Sequence, residues 1–376
     1  MTGNVATFGA GVANYNGTLR IQSSSISGNG ADVTQRGGGV ANYSNYDPAA
    51  LELTDSEVTD NLAEVGGGVH NRTYDGMAAA TIARTTISGN TADSGGGNAN
   101  RGVYAYSDTV AANLVVVGST ISGNTADGSG GGLESQSNPG AVATAELFNS
   151  TIADNAAIVG NGGGIAHVAS STSTLGLDSV IVAGNSAGGD GADLFSDDTD
   201  ARFSLIQSSS GNSLVNGVDN NLVGQDPLLL PLGDNGGPTP THELMEGSPA
   251  IDQGTNTRGL ANDQRGTAFA RTVDDAGIDN ADDGTDIGAV ETGQVAATFD
   301  FGDAPDQTDV GGVLRRYPTT LANDGARHLV VEDGPILGGV LPDPERDGIT
   351  SLDADGDDMA GVDDEDALGP EPIVLL

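Results

Sequence analysis

The chain has 376 residues, of which 36% are hydrophobic and only 4% aromatic, with 59 glycines and no cysteine. This composition disfavours a compact globule filled with large side chains, and the lack of cysteine excludes disulfides, thiolate metal sites and cysteine nucleophiles. A formal net charge of −40 repels nucleic acid and anionic membranes and attracts divalent cations. No run reaches the length of a membrane-spanning helix.

A repeated motif occupies the first half of the chain. Its clearest copy is residues 119–132, S-T-I-S-G-N-T-A-D-G-S-G-G-G, and related copies recur about every 30 residues. Each copy carries an asparagine and, three positions before it, a β-branched residue. These pairs are Ile26/Asn29, Val58/Asn61, Ile87/Asn90, Ile121/Asn124, Ile152/Asn155 and Val182/Asn185.

Two further runs accompany each pair. A short apolar run such as Leu51-Glu52-Leu53 begins seven residues before the β-branched residue. After the asparagine comes a glycine run such as Gly66-Gly67-Gly68, which leads into another apolar run. Each repeat is therefore predicted to hold three short strands, two tight corners and one variable loop.

Strands this short bury their apolar faces only by stacking one repeat on the next. We therefore predict an all-β protein whose residues 1–221 form a right-handed parallel β-helix of about six to seven coils. The asparagines should hydrogen-bond along the axis, and the glycines should supply positive φ and close backbone approach. Both sets are interpreted as structural rather than catalytic.

The paired motifs G-G-G-V and I-x-x-N, as in residues 66–69 and 87–90, resemble repeats of the polymorphic outer-membrane protein family of bacterial adhesins and autotransporters. In that family the motifs read G-G-A-[ILV] and F-x-x-N, so Gly here replaces Ala and Ile or Val replaces Phe. The resemblance covers roughly residues 1–200 and implies a secreted or cell-surface β-helix, without a particular partner. Residues 2–4 look like the end of a repeat, so we expect a truncated N-terminus.

Two columns of polar residues are candidate sites on this rod. The first follows the asparagines and consists of acids: Asp32, Glu64, Asp93 and Asp127. Carboxylates stacked at coil spacing repel one another unless a cation bridges them, so calcium is one interpretation. A solvated acidic corner is the alternative, and we favour it.

The second column follows the glycine runs and consists of Tyr15, Tyr43, Arg72 and Arg101, flanked by His70 and Glu134. Tyrosines and arginines in a row can stack on and hydrogen-bond a polysaccharide. An enzyme interpretation makes Arg72 or Arg101 a charge stabiliser and Glu134 the acid or base. The sparse acids and aromatic residues around them favour binding over catalysis. The candidate ligand-binding residues are thus Tyr43, Arg72, Arg101 and Glu134.

Residues 222–291 resemble the choice-of-anchor region that follows β-helix repeats in bacterial surface proteins. The matching motifs are G-G-P-T-P-T-H, G-S-P-A-I-D-Q-G, D-Q-R-G and D-I-G-A-V-E. Five of its residues invite a hydrolase interpretation: His242, Asp252, Asp263, Arg265 and Asp286. We favour a structural role, in which Asp and Arg residues pair to close the open end of the helix, since bare strand edges invite aggregation.

Residues 299–376 are similar to the GEVED domain of large secreted bacterial proteins, through D-F-G-D-A-P-D and a closing acidic motif. We expect a small acidic module that is β-rich or partly disordered and that is truncated. Its acidic tract begins like a D-x-D-x-D calcium loop, with Asp353, Asp355, Asp357 and Asp364 as candidate metal ligands. It departs from an EF-hand, so a disordered acidic tail is the alternative.

Together these features favour a secreted or cell-surface structural or adhesion protein, non-catalytic, with a calcium-binding acidic module. The alternative is a polysaccharide-binding or polysaccharide-cleaving β-helix, a lyase or hydrolase. The expected partner is an extracellular polysaccharide or a host or cell-surface component. The expected location is extracellular or on the bacterial cell surface.

Overall fold

The computed structural model describes residues 1–30, 36–102, 110–168 and 173–293. It also describes, at the level of the backbone, four short strands further along. The chain divides into two compact units, Met1–Gln294 and Val295–Leu376. Within the described residues the one helical element is the 3₁₀ turn Val218–Asn220, so the fold is all-β.

Four parallel sheets run through the first unit, and each takes one short strand from successive coils. The leading sheet begins each coil and contains Gly17–Gln22, Ala49–Thr54, Met77–Ala83, Ala111–Val117, Val142–Phe148, Thr174–Asp178 and Asp200–Arg202. The isoleucine sheet follows it and contains Ser25–Ser27, Glu57–Thr59, Thr86–Ser88, Thr120–Ser122, Thr151–Ala153, Ile181–Ala183, Leu205–Ile206 and Leu222–Val223.

The other two sheets complete the coil. The spacer sheet lies just after the asparagines and contains Leu62–Val65, Thr91–Ser94, Thr125–Ala126, Ala156–Ala157 and Ser186–Ala187. The glycine sheet follows the glycine runs and contains Val12–Tyr15, Val40–Asn45, Val69–Asp75, Asn98–Gly102, Leu133–Ser137, Ile165–Val168 and Leu194–Phe195. The predicted repeat architecture is confirmed as a parallel β-solenoid of about six turns.

The prediction of three strands per repeat is wrong, because the spacer sheet adds a fourth. Its strands are two to four residues long. In Leu62–Val65, Ala63 is buried and Glu64 is exposed. A run with a single buried alanine is too short to show the alternation of apolar and polar residues by which a strand is recognised in a sequence.

The core follows from the repeat because equivalent residues pair in register. Ile87 is opposite Val58 on one side and Ile121 on the other, and all three are fully buried. Leu114 and Val116 of the leading sheet belong to the same core cluster. Each aliphatic side chain buried in this way contributes about 1.5 to 3 kcal/mol, so the coils stabilise one another through a narrow apolar interior.

The asparagines form the predicted ladder. In each step of the ladder, the side-chain Oδ1 of one asparagine accepts two hydrogen bonds of 2.9–3.0 Å, from the backbone N–H and the side-chain amide of the asparagine in the preceding coil. The accepting residues are Asn61, Asn90, Asn124, Asn155 and Asn185. Asn185 in turn donates to the Asp193 carboxylate. The ladder satisfies the buried backbone groups of the corner between the isoleucine and spacer sheets.

A second ladder was not predicted. Asn14, Asn42, Asn71 and Asn100 face inward in the glycine sheet, and each of the first three donates to the Oδ1 of the next at 2.7–2.9 Å. They also donate to carbonyl groups of the leading sheet, such as Ala79 for Asn42. This ladder closes the corner between those two sheets. Its signal is an asparagine in the third position of each of the first four glycine-sheet strands.

The glycine run fits its corner for two reasons. Gly66 has φ of +65°, which a β-carbon disfavours. A β-carbon on Gly68 would lie 2.5 Å from the carbonyl oxygen of Gly97 in the next coil. The predicted roles of these glycines, positive φ and close approach between coils, are confirmed.

Residues 227–291 pack along the side of the solenoid. Their contacts reach the outward-facing residues of the isoleucine sheet: Gln264 bonds both Thr86 and Thr120, and the Ala289 N–H donates to Thr151. A second apolar cluster joins Ile181 and Leu205 of the solenoid to Leu244, Ile251 and Ile287. These contacts differ from the end-closing role that the sequence suggested for the Asp and Arg pairs.

The second unit is described through two antiparallel pairs of strands. Phe299–Phe301 pairs with Arg327–Leu329, and Thr308–Val310 pairs with Val313–Arg315.

Candidate functional site

The predicted tyrosine and arginine column is a row on the outer face of the glycine sheet. Tyr15 pairs with Tyr43, Tyr43 with Arg72, and Arg72 with Arg101. Side chains alternate along a strand, so the inward position of Asn71 directs its neighbours His70 and Arg72 to the outer face. We call Tyr15, Tyr43, Arg72 and Arg101 the tyrosine–arginine face.

The aromatic part of this face is continuous. The Tyr15 and Tyr43 ring centroids are 5.0 Å apart, and Phe8 meets the Tyr43 ring edge-on at 5.5 Å. The guanidinium carbon of Arg72 lies 5.4 Å from the Tyr43 centroid, within cation–π range. Burial raises the pKa of Tyr43, while the nearby Arg72 opposes that shift. The phenol is thus neutral at physiological pH and able to donate a hydrogen bond.

Glu134 belongs to the neighbouring row, where it pairs with Ala99. Arg101 forms an ion pair with it through its Nε and a terminal nitrogen, and Ser94 Oγ donates to the same Oε2 at 2.7 Å. Arg101 also donates to Ser94 Oγ at 2.6 Å. The structure therefore brings all four predicted ligand-binding residues onto one sheet, but Glu134 holds Arg101 in place.

A cleft of about 230 Å³ opens beside these residues. It is lined by Arg36, Val65, His70, Arg72, Arg101 and Gln136. Arg36 lies just before the glycine run of its coil, where it bridges to Val65 of the next coil. Arg36 was not predicted, because it stands outside the aligned columns of the repeat. A basic residue immediately before a glycine run was the available signal.

His70 is the most buried member of the cleft, with 1% of its surface exposed. Neither ring nitrogen has a hydrogen-bond partner among the described residues. Burial, reinforced by Arg101, Arg72 and Arg36, lowers the pKa of His70 well below its usual value. The imidazole is therefore neutral at physiological pH, with one N–H to donate and one nitrogen to accept.

The acidic column is a solvated edge in its described part. Glu64 and Asp93 lie at equivalent positions of the spacer sheet, and Asp127 follows the next strand; all three are exposed. The described residues contain no group of three or more His, Cys, Asp or Glu side chains placed to hold a metal. Asp32 and the candidate calcium ligands Asp353, Asp355, Asp357 and Asp364 lie outside the described residues.

The five polar residues singled out in the segment after the repeats are all buried. His242 contacts Ser122 Oγ at 2.9 Å and the Leu230 carbonyl at 2.7 Å. Arg265 forms an ion pair with Asp263, and the Asp286 carboxylate accepts the backbone N–H of Asp252. These contacts hold the segment together and against the solenoid, which favours the structural interpretation.

Comparison with known proteins adds no further assignment. No family model matches the chain, and neither a curated protein nor a solved structure matches it. In the described part of the chain, no helix is long and apolar enough to cross a membrane.

Proposed function

We propose that this chain is a secreted or cell-surface structural protein that acts by adhesion and without catalysis. In this proposal the β-solenoid is a stiff scaffold, and its tyrosine–arginine face binds an extracellular polysaccharide or another cell-surface component. The in-register ladders and core support the scaffold role, because successive coils are hydrogen-bonded to each other through the four sheets and the two asparagine ladders.

The observation that carries the binding role is the row of in-register Tyr and Arg side chains. Aromatic rings offer flat apolar surfaces, and guanidinium groups donate planar pairs of hydrogen bonds. A row of such side chains, one per coil, presents repeated contacts about 4.8 Å apart. An extended polymer is the kind of ligand that can use several of them together.

The Arg101–Glu134 ion pair weighs against catalysis. Glycoside hydrolysis ordinarily uses two carboxylates, one on each side of the scissile bond. Glu134 instead accepts hydrogen bonds from Arg101 and Ser94 and is 6% exposed. We interpret it as the residue that positions Arg101 rather than as an acid or base.

A polysaccharide lyase or hydrolase is the second candidate. It is favoured by one observation, which is that a histidine and an arginine line the cleft and that this arginine, Arg101, is paired with a carboxylate. Proton abstraction and charge stabilisation would then fall to these residues.

The decisive experiment measures binding and cleavage on the same samples. The full chain is passed over immobilised acidic and neutral polysaccharides, and the eluate is assayed for reducing and unsaturated ends. We expect retention without new ends, and weaker retention for Arg72→Gln but not for Arg20→Gln, an exposed arginine of the leading sheet. Release of ends that disappears in Arg101→Ala or Glu134→Gln would establish the enzyme candidate instead.

We also propose that the acidic tract near the C-terminus binds calcium. The support is the D-x-D-x-D spacing of Asp353, Asp355 and Asp357 together with Asp364, all oxygen ligands of the kind calcium prefers. Thermal melts of the full chain with calcium and with chelator test it, with Asp355→Asn/Asp357→Asn as the matched variant. An identical melting temperature and identical backbone mobility of residues 343–366 in both conditions would refute it.

A further inference from the structure

We propose that the cleft lined by Arg36, His70, Arg72 and Arg101, the arginine cleft, binds one oxyanion group of an acidic sugar, a carboxylate or a sulfate. This inference deepens the proposed function and rests on its binding face. It adds Arg36 and His70 to that face and names the chemical group recognised.

The charge of the cleft favours an anionic ligand. The chain has 53 acidic and 13 basic residues, so an unpaired cation is unusual in it. The other arginines of the described solenoid have carboxylate partners: Arg20 has Glu52, Arg84 has Asp55, Arg101 has Glu134 and Arg202 has Asp178. Among the described residues, Arg36 and Arg72 have none. They are left to face the cleft.

Mutual repulsion between Arg36 and Arg72 also favours a bound anion. Burial lowers the pKa of Arg72, and the neighbouring Arg36 is the next largest cause. Two guanidinium groups held near one another in a partly buried cleft disfavour each other's charge. An anion between them removes this penalty and gains charge-assisted hydrogen bonds, which are among the stronger ones in proteins.

The buried imidazole of His70 favours a bound oxyanion as well. A buried polar group without a partner is uncommon and destabilising, and it calls for an explanation. The imidazole of His70 lines the cleft together with the arginines, and its nitrogens are unbonded among the described residues. A bound oxyanion supplies a hydrogen-bond acceptor for the N–H of the neutral imidazole.

The size and surroundings of the cleft indicate the ligand class. A volume of about 230 Å³ is below that of typical sites for whole small molecules, so the cleft suits one group of a larger ligand. Tyr43 lies under Arg72 and next to Tyr15, which gives an adjoining sugar ring an aromatic surface. The net charge of −40 disfavours the densely charged backbone of nucleic acid and leaves an acidic polysaccharide, with at most one charged group on each sugar, as the better match.

The test follows His70 directly in the full chain. Histidine side chains, four in this sequence, are isotopically labelled, and His70→Asn identifies the His70 signal. Three probes are titrated: sodium sulfate, a hexagalacturonate, and its neutral methyl ester. We expect a saturable shift of the His70 signal with sulfate and hexagalacturonate, and none with the ester. Arg72→Gln and Arg36→Gln should each weaken binding about tenfold or more, while Arg20→Gln binds like the unmodified chain.

Each contrary result has a distinct meaning. A His70 signal that neither anion moves, or one that moves with sulfate alone, overturns the assignment to acidic sugars. Equal binding of the methyl ester overturns the anion site but leaves a polysaccharide-binding face intact. If the unmodified chain is retained on none of the immobilised polysaccharides, the proposed function is overturned as well.

Discussion

Arg72 lies directly opposite Arg101 in the register of the glycine sheet, yet the two guanidinium groups have different partners. Arg101 is held by Glu134, whereas Arg72 lies over the Tyr43 ring and faces the arginine cleft. In-register stacking places equivalent residues next to each other, so a basic column gathers like charges. Here one of the two charges is neutralised within the protein, and the other has no carboxylate partner among the described residues, which makes it available to the ligand that we propose.

The asparagine ladder should be a main source of stability. In Asn90→Ala, the backbone N–H and the side-chain amide of Asn61 lose their shared acceptor while remaining buried. We expect a loss of about 2 to 6 kcal/mol in the free energy of unfolding, measured by denaturant titration. Thr91→Ala, at an exposed position one residue later, is the control and should change it by less than about 0.5 kcal/mol. Equal effects of the two variants would contradict the ladder's role.

Close approach between coils should make Gly68 sensitive to the smallest addition. In Gly68→Ala, the new β-carbon would lie 2.5 Å from the Gly97 carbonyl oxygen and 2.9 Å from Ile87, so the coils must separate. We expect a lower melting temperature or loss of soluble protein. Gly176→Ala is the matched control, because its β-carbon would have its nearest neighbour at 3.8 Å. If both variants melt at the temperature of the unmodified chain, the close packing of the glycine runs is not needed.

Glu291 should make stability fall as pH rises. Burial raises its pKa to about 8, from an ordinary 4.5. The folded chain therefore holds a proton between those values that the unfolded chain has lost, so unfolding becomes easier by about 1.4 kcal/mol per pH unit. The loss ends above about pH 8, where the folded state also releases the proton.

The comparison that tests this uses Glu291→Gln, which keeps an oxygen to accept the Val273 N–H. Free energies of unfolding are measured from pH 6.5 to 8.5. Buried histidines such as His242, whose pKa is lowered by burial, make stability rise with pH, but they do so below this range. The unmodified chain should lose stability up to about pH 8 and the variant should lose less. Parallel pH profiles would show that Glu291 is not the group responsible.

Gln264 should fasten the segment 227–291 to the side of the solenoid. Its amide joins Thr86 and Thr120, which lie on adjacent coils and pair with each other in the isoleucine sheet. In Gln264→Ala, we expect faster amide hydrogen exchange at Ala289 and Gly288, with exchange in the solenoid core unchanged. Gln253→Ala, whose amide bonds only its own segment, is the control. Faster exchange at Leu205 and Ile206, without change at Ala289, would favour an end-closing role instead.

The sequence predicted the parts of the fold that repeat. The asparagines and β-branched residues recur at fixed spacing, so their stacking in register followed from the pattern, as Ile87 and Asn90 illustrate. The spacer sheet was missed because a run such as Thr125–Ala126 is too short to show alternation. The inner asparagine ladder was missed because Asn71 and its equivalents were not aligned as a column of the repeat.

Features that depend on contacts outside the repeat were not predictable. Thr86 and Thr120 look like solvated surface residues, and only the folded chain shows that Gln264 covers them. The arginine cleft also depends on a residue outside the repeat pattern. Tyr43, Arg72 and Arg101 were found as a column, but Arg36 lies outside the alignment and comes to them through the corner before the glycine run.

A structure of the full chain with a bound hexagalacturonate tests most directly whether the tyrosine–arginine face and the arginine cleft bind an acidic polysaccharide without cleaving it. We expect an intact oligosaccharide along the tyrosine–arginine face, with one carboxylate within hydrogen-bond distance of Arg36, Arg72 and His70. A sugar ring should lie against Tyr43, and Glu134 should remain paired with Arg101. A shortened oligosaccharide, or one bound on another sheet while the arginine cleft is unchanged, would contradict it.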